Sequence, residues 1–452
     1  MGVFPYIPHT ESDIAEMLAA IGVREVAELF TDIPDSIRQK GKLDLPPGIS
    51  EAELISKMEE LAESNDILTC FLGAGCYDHL IPSVVSHLSQ RAEFLTSYTP
   101  YQAEVSQGML QALFEFQTLI CELTGMAVSN ASLYDGHTAA VEACSIALQA
   151  GKNRKRIIIS GAIHPNTLSV IDTHFAGLEL NIEIAPIERG TTDFDLVYEM
   201  LDDRVAALFI QTPNYFGCLE DLTGVAEKVH NAGAQLILSC NPISLGILRA
   251  PGEWGADIAI GDGQPLGLPM YLGGPSLGFI ATTKKLIRRL PGRIVGQTLD
   301  TEGRRAFVLT LQAREQHIKR ERATSNICTN QSLSALASAI FLSSLGREGF
   351  RELAEQNLCK AKYLANRLRQ SGAELLFERP YFNEFTIDLH RDAGNVLDAL
   401  KREGILGGFR LTDIGQSVLL VAVTEKRTRS EMDRYVEIVR GVSVGGSGGV
   451  SV

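Results

Sequence analysis

Residues 255–280 read GADIAIGDGQPLGLPMYLGGPSLGFI. The stretch holds a short apolar strand, a polar turn, and a Gly-Gly-Pro corner that leads into a second apolar strand. The turn itself, Gly261-Asp262-Gly263-Gln264-Pro265, contains no lysine. Its two strands, IAIG (258–261) and LGFIAT (277–282), close a series of similar runs: RIIIS (156–160), IEIAPI (182–187), VAALFIQ (205–211) and AQLILSC (234–240). Helical patterns such as FDLVYEML and LTGVAEKVHNAG separate several of them. Apolar strands that alternate with helices predict a largely parallel, buried sheet with helices on both faces, an α/β fold.

Working outward, SDIAEMLAAIGV and EAELISKMEELAES carry apolar residues at helical spacing, with Ser12 and Ser50 as candidate caps. They predict an N-terminal helical arm over 1–65. SQGMLQALFEFQTLICELTG (106–125) and HTAAVEACSIALQAG predict two further helices inside a large domain over 66–330. Beyond it, helical stretches at 331–345 and 347–372 lead to ELLFE, FNEFTIDL, a helix around NVLDALKREG, VLLVAVTE and a last helix. This order predicts a small C-terminal α+β domain over 331–442. The remaining SVGGSGGVSV (443–452) is rich in Gly and Ser, the composition of a flexible tail.

A chain of 452 residues is long enough for more than one packed unit, and 45% apolar with 21% charged residues is ordinary for a globular protein. The net charge of −14 argues against a general nucleic-acid or membrane-surface binder. MGVFPYIPHTESD lacks the basic and apolar regions of a secretory signal, and Tyr6 stands where myristoylation needs Ser or Thr. With no uncharged run long enough to span a bilayer, the chain reads as cytoplasmic. The eight cysteines are scattered without a C-x-x-C pair, and the nine histidines form no H-x-x-x-H, so a metal site has little support. Cys240 has no nearby base that would make it a nucleophile. No strand is followed by G-x-G-x-x-G, and FLGAGCYDH (71–79) has only Gly73 and Gly75, the pattern of a turn.

Three segments carry a resemblance to a known family: YTPYQAEVSQGMLQALFEFQTLICELTGM (98–126), SNASLYDGHTAA with the helix after it, and GRRAFVLTLQAREQHIKRERATSNICTNQSL (303–333). They are similar to the glycine decarboxylase P-protein, in its N-terminal half, which in many bacteria is a separate chain. The resemblance implies an aspartate-aminotransferase-like fold (fold type I of the pyridoxal-phosphate enzymes), with a large mostly parallel-sheet domain and a small α+β domain. It implies the glycine cleavage system: glycine loses its carboxylate, and the aminomethyl group passes to the lipoyl arm of the H-protein. The implied partners are glycine dehydrogenase subunit 2 (the β subunit), lipoylated H-protein and glycine, with no nucleic acid and no membrane.

In that chemistry pyridoxal phosphate is the electron sink, and it needs a lysine to hold it and a carboxylate to keep its ring nitrogen protonated. Counted back from Gly273-Gly274-Pro275, the lysine position is Gln264, and an amide cannot form a Schiff base. Where the catalytic partner has an aspartate, the end of AQLILSC carries Ser239, which offers no ion pair. The resemblance therefore implies the non-catalytic half of a pair, with the cofactor held by the partner subunit rather than by a lysine of this chain. A self-sufficient aminotransferase or lyase with an unrecognised lysine, or a non-enzymatic scaffold, remains as an alternative.

The remaining candidates follow from this frame. NASLYDGHTAA enters a helix at Thr138 and could cradle a phosphate, but Asp135 would repel one, which makes it a vestigial cup. His164 sits either as a ring against a cofactor or as a loop histidine with a local hydrogen bond. Lys284 and Lys285 read as surface residues at a helix start. Between Lys284 and Arg322 there are eleven Lys/Arg against four Asp/Glu, either a solvated face or a contact for a partner or an acidic carrier. Active sites of this fold lie at dimer interfaces, so Thr324, Ser325 and Asn326, with Tyr98, Thr99 and Tyr101, are the candidate cofactor-binding residues, acting in trans. No catalytic residue and no metal ligand is expected here. With excess pyridoxal phosphate, the isolated chain is expected to give no Schiff-base absorbance band; a borohydride-stable pyridoxyl-lysine mapped to any of its lysines would overturn this.

Overall fold

A computed structural model of the chain describes residues 6, 8–39, 41, 43–95, 99–151, 153–270, 274–327 and 330–442. The chain divides into two compact units, Met1–Asp66 and Ile67–Val452. Both predicted helices of the first unit are present, α1 (Glu11–Ile21) and α2 (Glu51–Glu63), and each starts with a capping box. The cap of α1 is Thr10, whose hydroxyl accepts from Asp13 N at 3.2 Å, whereas Ser12 lies inside the helix. Thr10 wins because Asp13 stands three residues on and can return the bond to Thr10 N, an arrangement Ser12 lacks. Ser50 caps α2 as expected. Neither helix has a buried residue, and Ile21, Phe30, Met58 and Leu61 are all exposed. The described residues between 31 and 50 form no helix or strand.

The second unit is built on a seven-stranded sheet. Its strands are β1 (Val128–Ser129), β2 (Arg156–Ser160), β3 (Asn181–Ala185), β4 (Val205–Gln211), β5 (Gln235–Ser239), β6 (Ile258–Asp262) and β7 (Gly278–Thr282). They lie in the order β1-β7-β6-β5-β4-β2-β3. The pairings from β3 to β6 are parallel; β7 runs antiparallel to β6 and to β1. The antiparallel return of β7 has a local cause. No crossover helix is described between Asp262 and Gly278, so the chain turns back along the same edge. Ile157–Ile159 and Val205–Ile210 are buried on both faces, which explains their unbroken apolar runs.

One face of the sheet is covered by α3 (Gln107–Thr124) and the first half of α5 (Ser332–Gln370), and the other by α4 (Gly136–Ala150). The helix α5 contains the break expected between 345 and 347, at Gly346 with φ 62° and ψ −175°. Its second half packs on a four-stranded antiparallel sheet that includes Glu384–Asp388 and Val418–Ala422, the core of the C-terminal region. No helix among the described residues is long and apolar enough to cross a membrane.

A strap over residues 69–80 ties the two sheets together. Thr69 and Cys70 pair in parallel with Ile405 and Leu406, and Ala422 N donates to Phe71 O at 3.0 Å. Ala74 N donates to the Glu384 carboxylate at 2.6 Å, and Asp78 meets Lys426 at 2.6 Å and Arg427 at 3.1 Å. A second tie comes from the loop after β4, where Leu219 N donates to Pro380 O at 2.8 Å and Phe216 O accepts from Thr386 Oγ1 at 2.9 Å. Gly217 in this loop has φ 84°, and a Cβ there would fall on the backbone carbonyl of Glu384. Gly217→Ala is therefore expected to cost more than about 1 kcal/mol, read as a lowered melting temperature. An unchanged melting curve would show that this approach is not tight.

Candidate functional site

Parallel strands deliver their carboxyl ends to one edge of the sheet, and ligands of such folds bind there. Gln211, Ser239 and Asp262 end β4, β5 and β6, and Gly136 and His137 open α4 beside them; all five line a cavity of about 890 Å³. The strap and Glu384 line it too. This is where the fold would seat a cofactor.

Gln264, at the lysine position, is buried and fully engaged. Its Oε1 accepts from Tyr77 N at 2.9 Å, and its Nε2 donates to Tyr77 O at 3.0 Å and to Leu268 O at 2.9 Å. The side chain fastens the strap to the turn after β6. Asp262 accepts from Gly136 N at 2.9 Å, Gln264 N at 2.8 Å and Ser276 Oγ at 2.7 Å. Asp135 is the N-cap of α4 and accepts from Thr138 N at 2.7 Å. The helix begins at Gly136, two residues before the expected Thr138, because the Asp135 carboxylate fixes the cap. Burial, then the neighbouring Asp135 charge, push the Asp262 carboxyl above its ordinary range, against the hydrogen bonds that favour its ionised form.

His164 has the local hydrogen bonds of a loop histidine. Its Nδ1 accepts from Asn166 N at 3.1 Å, which leaves Nε2–H to donate to Ala74 O at 3.0 Å. Its ring also packs against His137 and Tyr215, each 5.1 Å away between centroids. Burial, with His137 beside it, lowers its pKa to about 4, so it is neutral at pH 7. Cys240 lies at the cavity wall with its thiol pushed by burial to about 12, which removes it as a nucleophile.

No lysine or arginine lines the cavity among the described residues. Pyridoxal phosphate needs an amine for its aldehyde, a carboxylate to keep its ring nitrogen protonated and free donors for its phosphate. Gln264, Ser239 and the carboxyl-filled helix end meet none of these needs, and the residues present do not fit the cofactor.

The candidates for action in trans lie elsewhere. Thr324 and Asn326 are exposed, while Ser325 Oγ donates to Glu142 Oε1 at 2.8 Å and accepts from Ile327 N at 3.1 Å. Tyr101 is exposed, with the Arg293 guanidinium 4.8 Å over its ring and donating to its hydroxyl at 3.2 Å. Thr99 is half-buried, and Tyr98 lies outside the described residues, as do Gly273 and the 443–452 tail. None of the described candidates lines the cavity. Gly292, next to Arg293, lies close to Ile327: a Cβ built on it would stand 3.2 Å from that side chain. The basic stretch is mixed: Lys284 and Lys285 are exposed, Arg293 is buried, and Arg314 donates to Gly292 O at 2.8 Å.

Against this geometry, the family model for the glycine cleavage system P-protein matches residues 5–439. The chain belongs to the glycine cleavage system P-protein family. A relative from Bacillus cytotoxicus, named as probable glycine dehydrogenase (decarboxylating) subunit 1, is 49% identical over 95% of this chain and 98% of its own length. The crystal structure of a glycine decarboxylase (P-protein) of the glycine cleavage system, in inhibitor-bound form, superposes with a TM-score of 0.89. It is 42% identical and covers 97% of this chain and 99% of that one. A sphingosine-1-phosphate lyase from Burkholderia pseudomallei, 16% identical over 90% of this chain and 94% of its own, has a TM-score of 0.66 and shares the fold alone. The fold is thus the aminotransferase-like one that the sequence resembled.

Sequence reasoning passed over Asp262, although it stands inside the lysine-free turn 261–265, and over Glu384 within FNEFTIDL. An acid in an otherwise buried apolar strand was the available signal for Glu384. Burial raises its pKa to about 7 from an ordinary 4.5, and it accepts from Ala74 N and, at 3.0 Å, from Tyr77 Oη. Between these two values the folded state holds a proton that the unfolded state has lost, so this group's contribution falls as pH rises from about 4.5 to 7. Glu384→Gln keeps the side chain neutral throughout. Its melting temperature relative to wild type is expected to improve between pH 5 and pH 8, by no more than about 3 kcal/mol in stability. A pH-independent difference would assign Glu384 an ordinary pKa.

Proposed function

We propose that this chain is the subunit of a two-chain glycine decarboxylase that lacks the cofactor lysine. With glycine dehydrogenase subunit 2 it decarboxylates glycine and transfers the aminomethyl group to the lipoyl arm of the H-protein. The observation that carries the proposal is Gln264: the family's fold is intact around a position whose amide is spent on Tyr77 and Leu268. Pyridoxal phosphate is accordingly held by the partner subunit. The self-sufficient alternative would need an amine at the cavity, and none is described there.

The contribution of this chain to the active site is assigned to the turn at 324–326, with Tyr98, Thr99 and Tyr101. Ser325, through Glu142, holds the turn, while exposed Thr324 and Asn326 reach the phosphate of the partner's cofactor. The exposed apolar residues of the 1–66 unit support a role for it in assembly.

The test is Thr324→Ala with Asn326→Ala, assayed with the wild-type partner. Hydrogen bonds to a charged group are worth about 1.5–3 kcal/mol each. Losing one is expected to raise the dissociation constant of the partner's cofactor roughly ten- to a hundredfold and to lower glycine-dependent carbon dioxide exchange, with complex formation intact. Unchanged cofactor affinity in a complete complex would leave this turn a structural role only. Failure of the two chains to sediment together would overturn the heteromeric reading itself.

A further inference from the structure

We infer that the Asp262 carboxyl group occupies the phosphate's place at the head of α4, so that this chain refuses pyridoxal phosphate by occupancy and not merely for want of a lysine. The first turn of a helix offers unpaired N–H groups to an anion. Here the Gly136 amide is bound by Asp262 at 2.9 Å and the Thr138 amide by Asp135 at 2.7 Å. Asp262 is held in place from its other side by Gln264 N and Ser276 Oγ. It also packs closely on the helix end: a Cβ at Gly136 would stand 3.0 Å from the Cβ of Asp262. An incoming phosphate would have to displace a carboxyl group with three hydrogen bonds and then sit beside two acids. No lysine or arginine of the described lining would offset that repulsion. Whether Asp262 is charged or neutral, its Oδ2 stands in front of the Gly136 amide.

Two locks on one cavity make a separable claim. Restoring an amine at position 264 opens the aldehyde end only; the phosphate end stays closed until residue 262 loses its carboxyl. The inference rests on the function proposed above only for the choice of probe. Its experiment uses this chain by itself, so its failure would leave the heteromeric reading standing.

Gln264→Lys, Gln264→Lys with Asp262→Ala, and Gln264→Lys with Asp262→Asn are each titrated with pyridoxal 5′-phosphate and with pyridoxal, which has no phosphate. The lysine nitrogen adds to the aldehyde carbon with loss of water. Borohydride then reduces the carbon–nitrogen double bond to a stable amine, which peptide mapping assigns to position 264. Gln264→Lys alone is expected to take pyridoxal at least as tightly as pyridoxal 5′-phosphate. Removing the carboxyl with Asp262→Ala should create a preference for the phosphorylated probe of at least about tenfold, the scale of one charge-assisted hydrogen bond. Asp262→Asn still fills the space and should show no such preference. A tenfold preference in Gln264→Lys alone, or none in the Asp262→Ala double variant, would overturn the inference. If the double variant is too unstable to titrate, its melting temperature is compared in potassium phosphate and in potassium chloride of equal ionic strength. A rise specific to phosphate supports an anion taking the vacated place; equal melting in the two salts overturns it.

Discussion

The hydrogen bonds between Gln264 and Tyr77 decide what the centre of this molecule can be. An amide presents a donor and an acceptor on one rigid plane, so a single side chain can serve both the N–H and the C=O of one backbone residue. A lysine has donors only and could not return the bond to Tyr77 N. The cost of burying a glutamine is met because its polar atoms are paired, and the strap at 69–80 is held down at the position where a catalytic chain keeps its amine. The strap's other fastenings run to Glu384, Lys426 and Arg427, so the same segment joins the large sheet to the C-terminal one.

The acids around the cavity are bonded to the fold itself. Glu384 and Asp262 both line the cavity, yet Glu384 is bonded to the strap's backbone and the Tyr77 hydroxyl, and Asp262 to a helix end. Both are raised by burial, yet their partners belong to the fold itself. Perturbed acids in a cleft are usually good pointers to a catalytic centre. In this chain the hydrogen-bond inventory turns the same signal toward structure.

Much of this was legible in the sequence. The apolar runs gave the buried strands because parallel strands are covered on both faces, and RIIIS became Arg156–Ser160 residue for residue. The break at 346 was legible because glycine alone adopts its backbone angles without strain. The absence of lysine at 264 was plain in the turn, but what the glutamine does there was not, since Tyr77 lies far away in the chain. Asp262 and Glu384 were missed for the same reason: their partners, Gly136 and Ala74, are brought to them only by the finished fold. The cap of α1 shows the local version of this limit. Thr10 and Ser12 are equally good caps by residue type, and the choice falls to whichever has an acid three residues on.

The pairing at Gln264 also limits what else can stand at that position. A lysine there would place an ammonium against the Tyr77 and Leu268 carbonyls, leave Tyr77 N without its acceptor, and gain no place for a phosphate. Fastened this way, the turn acts as a buckle: the side chain that closes the strap and the one that would hold an aldehyde compete for a single position, so the chain can have one or the other.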